Sequence, residues 1–145
     1  MGNLDNTVQD DIEALSAQGS DLFDDGAYTQ AIAKWEAALT LIPHPQNTYA
    51  ESQWLETAIG DAYFCSHQFS PAVEHLLRAR SNVEANPFES PFLMLRLGQT
   101  CYQLERFEEA KFYLLQAYMY AGRSCSRTKT IVICLLFFRK HLLFF

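Results

Sequence analysis

Between residues 31 and 42 apolar side chains fall at Ile32, Trp35, Leu39 and Ile42, three and four positions apart. That spacing places them on one stripe of an α-helix. Similar patterning recurs along most of the chain, and it recurs in register. Three stretches align on a glycine: ALSAQGSDLFDDGAYTQAIAKWEAAL from Ala14, TAIGDAYFCSHQFSPAVEHLLRAR from Thr57 and MLRLGQTCYQLERFEEAKFYLLQAY from Met94. Behind Gly19, Gly60 and Gly98 come Leu22, Tyr63 and Cys101, then the aromatics Tyr28, Phe69 and Phe107. Next are the alanines Ala31, Ala72 and Ala110, the large apolar residues Trp35, Leu76 and Leu114, and finally Ala38, Ala79 and Ala117. A period of this kind marks a repeat architecture, in which each unit buries its apolar face only against its neighbours. Each unit reads as two helices joined by a tight turn. The small residues sit where the paired helices approach closest, and the large ones fill the space beside them. The expected fold class is all-α.

Boundary signals agree with six helices. Ser70-Pro71 and Ser90-Pro91 each offer an N-cap serine followed by proline at the first helical position. Pro43 and Pro45 end one helix, Asn86-Pro87 marks another break, and Gly122 suits a C-terminal cap. The units are expected at about residues 12–45, 53–86 and 91–122, within one repeat domain over 1–122. The glycines are 41 and 38 residues apart, and the extra length falls around NTYAESQ and ANPFESP.

Composition narrows the function. A chain of 145 residues with 49% hydrophobic and 19% charged residues can bury a core. Net charge is −6, which disfavours nucleic acid as a partner. All 17 acids lie in residues 1–122 alongside six bases, whereas residues 123–145 hold five bases and no acid. Four cysteines without a CxxC pair or a regular framework point to reduced thiols and a cytoplasmic location. The amino-terminal MGNLDNTVQDD shows no signal-peptide pattern. The tail, RSCSRTKTIVICLLFFRKHLLFF, has an apolar run of eight residues from Ile131 to Phe138, short of the ~20 a bilayer span needs. Four readings of it stand: a capping helix, a membrane-surface segment, a self-association element, or a non-native or poorly ordered extension. The last is preferred.

Candidate chemistry is sparse. Cys65, His67 and His75 lie close together, but a Cys-x-His pair falls short of the four closed ligands of a structural zinc site, so the repeat rather than a metal spaces them. No phosphate-binding loop, GxSxG, HExxH or dinucleotide glycine pattern is present. The acid pairs Asp10-Asp11, Asp24-Asp25 and Glu108-Glu109 are adjacent, so on a helix they point to different faces. The expectation is a non-enzymatic protein with no catalytic residues, no metal and no cofactor.

The repeated residues resemble the tetratricopeptide repeat, whose pattern runs W-x2-L-G-x2-Y, then A-x3-F, then P. Gly19, Leu22, Gly26, Tyr28, Ala31, Trp35, Ala38 and Pro43 carry it in the first unit; Ile59-Gly60, Tyr63, Phe69, Ala72, Leu76 and Ala79 in the second; Leu97-Gly98, Cys101-Tyr102, Phe107, Ala110, Leu114 and Ala117 in the third. The leading tryptophan is replaced by Leu15, Glu56 and Met94. The chain looks like small three-repeat bacterial proteins of this kind, some of them immunity partners of toxins. The resemblance implies a short right-handed solenoid whose first helices line a concave, partner-binding groove. The lining positions it implies are Phe23 and Asp24 in the first unit, and Trp54, Thr57, Asp61 and Phe64 in the second. In the third they are Phe92, Leu95, Arg96, Gln99 and Tyr102. It implies Glu13, Ser16, Ser20, Cys65 and Gln103 as lining positions too. Such a groove, aromatic and mildly acidic, suits a basic or amphipathic protein segment. Relatives that clamp a chaperone's terminal carboxylate use basic groove residues, and here only Arg96 comes near. The implied function is an adaptor that holds a protein partner, of immunity or chaperone type. The alternative is a peripheral membrane factor docking through its basic, apolar tail.

Overall fold

A computed structural model describes residues 3–82 and 90–121. Residues 83–89, which include the Asn86-Pro87 break, Gly122 and the tail 123–145 lie outside the described residues. By its contacts the chain divides into two compact units, Met1–Pro87 and Phe88–Phe145. Among the described residues there are six α-helices and one short 3-10 turn, and no strand. The first unit contains α1 (Asn6–Asp24), α2 (Tyr28–Thr40), α3 (Ala50–Cys65) and α4 (Phe69–Arg80). The second contains α5 (Pro91–Gln103) and α6 (Phe107–Ala121). Helices pack in consecutive pairs, α1 with α2, α3 with α4 and α5 with α6, and α2 packs on α3 as well.

The three turns inside these pairs are built alike. Gly26, His67 and Glu105 adopt the left-handed conformation, with φ of 79°, 60° and 59°. Each donates its N–H to the carbonyl three residues back, at 3.0 Å: Phe23, Phe64 and Tyr102. The next residue, Ala27, Gln68 or Arg106, donates to the carbonyl five residues back, on Leu22, Tyr63 or Cys101, at 2.8–2.9 Å. This is the Schellman motif, which satisfies the last carbonyls of a helix through one left-handed residue. Glycine takes that conformation without strain; histidine and glutamate do so at a cost of about 1–2 kcal/mol. The turn geometry accounts for the spacing of Cys65 and His67: the first ends α3 and the second is the turn residue.

The repeated glycines lie under the repeated large residues. A Cβ added at Gly19 would stand 2.7 Å from Trp35 Cδ1; at Gly60, 2.6 Å from Leu76 Cγ and 3.3 Å from the Ala72 carbonyl oxygen; at Gly98, 2.6 Å from Leu114 Cγ. The core of the first unit runs through Ile12 of α1, Ala31, Ile32, Trp35 and Leu39 of α2, and Leu55, Ile59 and Ala62 of α3. The Trp35 indole N–H donates to the Ser16 carbonyl, 3.2 Å away, so burying the ring leaves no unsatisfied donor. In the second unit Leu93, Met94, Leu97, Thr100 and Cys101 of α5 are fully buried.

Three boundaries differ from their expected places, one of them the start of α3 at Ala50, three residues ahead of the expected unit start. Helix α1 starts at Asn6, six residues ahead of the expected unit start, and its N-cap Asp5 makes no side-chain capping bond. Helix α4 starts at Phe69, with Gln68 at the N-cap, so Ser70-Pro71 lies inside the first turn. Proline is tolerated there because first-turn N–H groups have no intrahelical acceptor. At α5 the expected cap is present: Ser90 Oγ accepts from the Leu93 N–H at 3.4 Å, and Pro91 opens the helix. The NTYAESQ insertion forms the 3-10 turn Gln46–Thr48 and the first turn of α3. Asn82 closes this end, donating from Nδ2 to the Tyr49 carbonyl at 2.7 Å and to Ser52 Oγ at 3.1 Å.

Candidate functional site

The candidate lining residues divide between the two units. In the first, α3 places Trp54, Thr57, Asp61 and Phe64 three and four residues apart, along one stripe. Trp54 is 48% exposed, and its ring meets the buried Trp35 edge-on at 6.1 Å between centroids. Trp35 is held by its bond to Ser16, so Trp54 rests on a fixed base and keeps half of its surface free. Thr57 donates from Oγ1 to the Gln53 carbonyl at 2.7 Å. Cys65 Sγ lies 3.8 Å from Asp61 Oδ1.

Phe23 and Phe64 are half-buried and packed. Phe23 meets Tyr28 edge-on at 5.2 Å and Trp35 at 6.0 Å. Phe64 meets Phe69 edge-on at 5.5 Å. Both therefore secure the second helix of their own pair. Asp24 is exposed in the last turn of α1.

Between α1 and α3 lies a cleft of about 230 Å³, lined by Gln9, Ile12, Glu13, Ser16, Glu51, Trp54 and Leu55. Ile12 and Leu55 form a buried apolar floor beside the Trp54 indole. Gln9, Glu13 and Glu51 supply polar groups, with Gln9 Nε2 donating to Glu13 Oε1 at 3.1 Å. Helices α1 and α3 together carry eight Asp and Glu residues and no Lys, Arg or His. Of these acids, Glu13 and Glu51 line the cleft. Gln9 and Glu51 escaped the sequence reading because both helices begin earlier than expected. The usable signal was the spacing Gln9–Glu13 and Glu51–Trp54, which extends each stripe by one turn.

In the second unit Phe92, Arg96 and Gln99 form a connected row on α5. The Arg96 guanidinium lies over the Phe92 ring, 5.2 Å from its centroid, and donates to Gln99 Oε1 at 3.0 Å. Phe92 is 37% exposed. Tyr102 stands one turn further on, edge-on to Phe107 at 5.5 Å. Leu95 departs from its expected role. Only 8% of it is exposed, so it offers a partner little surface. Positions three apart on a helix share a flank, and spacing alone does not separate the one that faces out from the one that packs.

The histidine and cysteine of the apparent cluster are otherwise engaged. His75 Nδ1 is 2.6 Å from Glu56 Oε2, and its ring stacks on Tyr63 at 5.5 Å. Glu56, at the position of the repeat's leading tryptophan, is buried. Among the described residues no group of three or more His, Cys, Asp and Glu side chains is placed to hold a metal ion. Burial pushes the Cys101 thiol up to about 11, with Arg106 acting against that and Glu109 with it. A thiol so placed is protonated at neutral pH and is no nucleophile. No described helix is long and apolar enough to cross a membrane.

The paired helices, the shared turn and the glycine contacts set the fold, and solved structures repeat it. The C-terminal TPR-containing domain of a Plasmodium falciparum protein described as FK506-binding superposes with a TM-score of 0.70 at 15% identity, covering 92% of this chain and 91% of that one. This chain has the tetratricopeptide-repeat fold. The first TPR of Spaghetti (RPAP3), solved bound to the HSP90 peptide SRMEEVD, matches at TM-score 0.67 and 20% identity, over 88% of this chain and 94% of that one. The Sgt2 TPR domain from Aspergillus fumigatus matches at 0.67 and 18%, over 89% and 80%. No protein-family model and no curated protein matches the chain. In tetratricopeptide-repeat terms, α1, α3 and α5 are the first helices of their pairs, and all the candidate lining residues lie on them.

Proposed function

We propose that the chain is a non-enzymatic adaptor that binds a segment of a partner protein on the faces of its first helices. The observation that carries this reading is Trp54. A large aromatic, half-exposed beside an apolar cleft and braced by a buried neighbour, is the kind of anchor that dominates binding energy. Phe92 and Tyr102 offer a second aromatic surface on α5. One structural neighbour, the RPAP3 repeat, was solved with a peptide bound, which supports peptide binding as the use of this fold here. The partner of that neighbour carries two glutamates and an aspartate. The acidic α1/α3 face favours the opposite chemistry, a basic or amphipathic segment. Such a face suits a cytoplasmic chain that holds one dedicated partner, as an immunity protein holds its toxin or a chaperone its client. The genes adjacent to its own discriminate those two.

The test is selection of displayed random peptides on the full chain, followed by affinity measurement on variants. Trp54→Ala is expected to weaken enriched binders by about 2 kcal/mol, roughly 30-fold, with the helical circular dichroism unchanged. Phe92→Ala tests the second surface, and Lys111→Ala serves as a remote control. Enriched peptides that bind both aromatic variants as tightly as the unmodified chain would exclude these faces.

A further inference from the structure

We infer that the cleft between α1 and α3 is a subsite for one lysine or arginine side chain of the bound segment. This rests on the reading of the α1/α3 face as a binding face and names what that face selects. Three observations lead to it.

The first is size. About 230 Å³ falls below the ~300–1,000 Å³ typical of pockets that enclose small molecules. It admits one long side chain entering from an extended backbone.

The second is the order of chemistry along the cleft. Ile12 and Leu55 are buried apolar residues at its base, and the exposed Trp54 indole forms a wall. Glu13 and Glu51 stand on opposite helices, Glu13 exposed and Glu51 partly so. A lysine or arginine has the matching order, a hydrocarbon stem ending in a cation. Its stem covers the floor, its cation reaches the carboxylates, and a guanidinium can also lie on the indole face. A purely apolar side chain would fill the same floor but would take water from Glu13 and Glu51 without replacing it. An acidic side chain would meet like charge.

The third is that, among the described residues, no cationic side chain lines the cleft. Neither α1 nor α3 carries a basic residue, and the cleft lining has no Lys, Arg or His. The cation for these two carboxylates must come from outside the two helices that hold them. Gln9, bonded to Glu13, donates through a neutral amide and leaves its charge uncompensated.

The experiment uses three synthetic nine-residue peptides of identical Ser/Leu sequence, with arginine, glutamine or glutamate at the centre. Each is titrated into the full chain and read by calorimetry. The arginine peptide is expected to bind at least about tenfold more tightly than the glutamine peptide, and the glutamate peptide most weakly. The arginine preference should shrink as salt rises, since the pair is only partly buried. In the double variant Glu13→Gln/Glu51→Gln the preference for arginine over glutamine should fall to about twofold or less. If the three peptides bind equally and all weaken with Trp54→Ala, the face is a binding face but the cation subsite is wrong. If none binds, or binding ignores Trp54→Ala, both readings fall. If the arginine preference survives in the double variant, the cation sits elsewhere and this assignment is overturned.

Discussion

In the first helix pair the residue over the glycine is Trp35; in the second it is Leu76. The position four residues before that glycine differs too. In the first pair it is Leu15, half-buried against the core, and in the second it is Glu56, buried and bound to His75. The third pair has Met94 there, fully buried, with a buried Tyr113 at the counterpart of His75. One scaffold therefore tolerates an indole hydrogen-bonded to a backbone, an ionisable pair, or a thioether with a phenol ring, provided the glycine still admits its large neighbour. The close approach is the constant, and the chemistry around it is free to vary. The comparison also shows why α3 can present Trp54 outward: Trp35, unique to the first pair among these three positions, supplies the ring on which it rests.

Removing that ring should have the largest effect. Trp35→Ala is expected to cost about 3–5 kcal/mol, because a cavity forms between α1, α2 and α3. Urea denaturation checks it. Trp35→Leu, which copies the second pair, should cost clearly less. An equal loss would mean the two pairs are not interchangeable solutions. Breaking the buried pair comes next. Glu56→Ala leaves His75 without its partner in a half-buried place, at about 1–3 kcal/mol. The double variant Glu56→Met/His75→Tyr copies the third pair and should recover most of that loss in thermal melts. Failure to recover would show that the second pair requires an ionic tie. The smallest effect lies in the turns. His67→Gly and Glu105→Gly should each gain up to about 1 kcal/mol by relieving the left-handed strain, and Gly26→Ala should lose a similar amount. A loss on His67→Gly would show that its ring, 6.0 Å from Phe69, matters more than its backbone.

Much of this was legible in the residues. The glycine-to-large spacing located three helix contacts, and Ser90-Pro91 located a cap, because both are local rules. What stayed hidden depended on partners distant in sequence. Glu56, standing where the repeat carries tryptophan, does not disclose its bond to His75, nineteen residues away. Leu95 reads as lining until the packing of α5 buries it. The early start of α1 has no cap to mark it, since Asp5 makes no side-chain capping bond. At the candidate site, the stripe on α3 was readable, whereas the cleft needed the register between α1 and α3.

Two polar ties across helix pairs, Trp35 to Ser16 and His75 to Glu56, join residues nineteen apart. Contacts at that range close short loops, whose entropic cost rises only with the logarithm of length. Structures dominated by such contacts have low contact order and assemble quickly. Each hairpin can thus register its own two helices while the remainder of the chain is still emerging from the ribosome, so the cleft between α1 and α3 is complete as soon as the second hairpin closes.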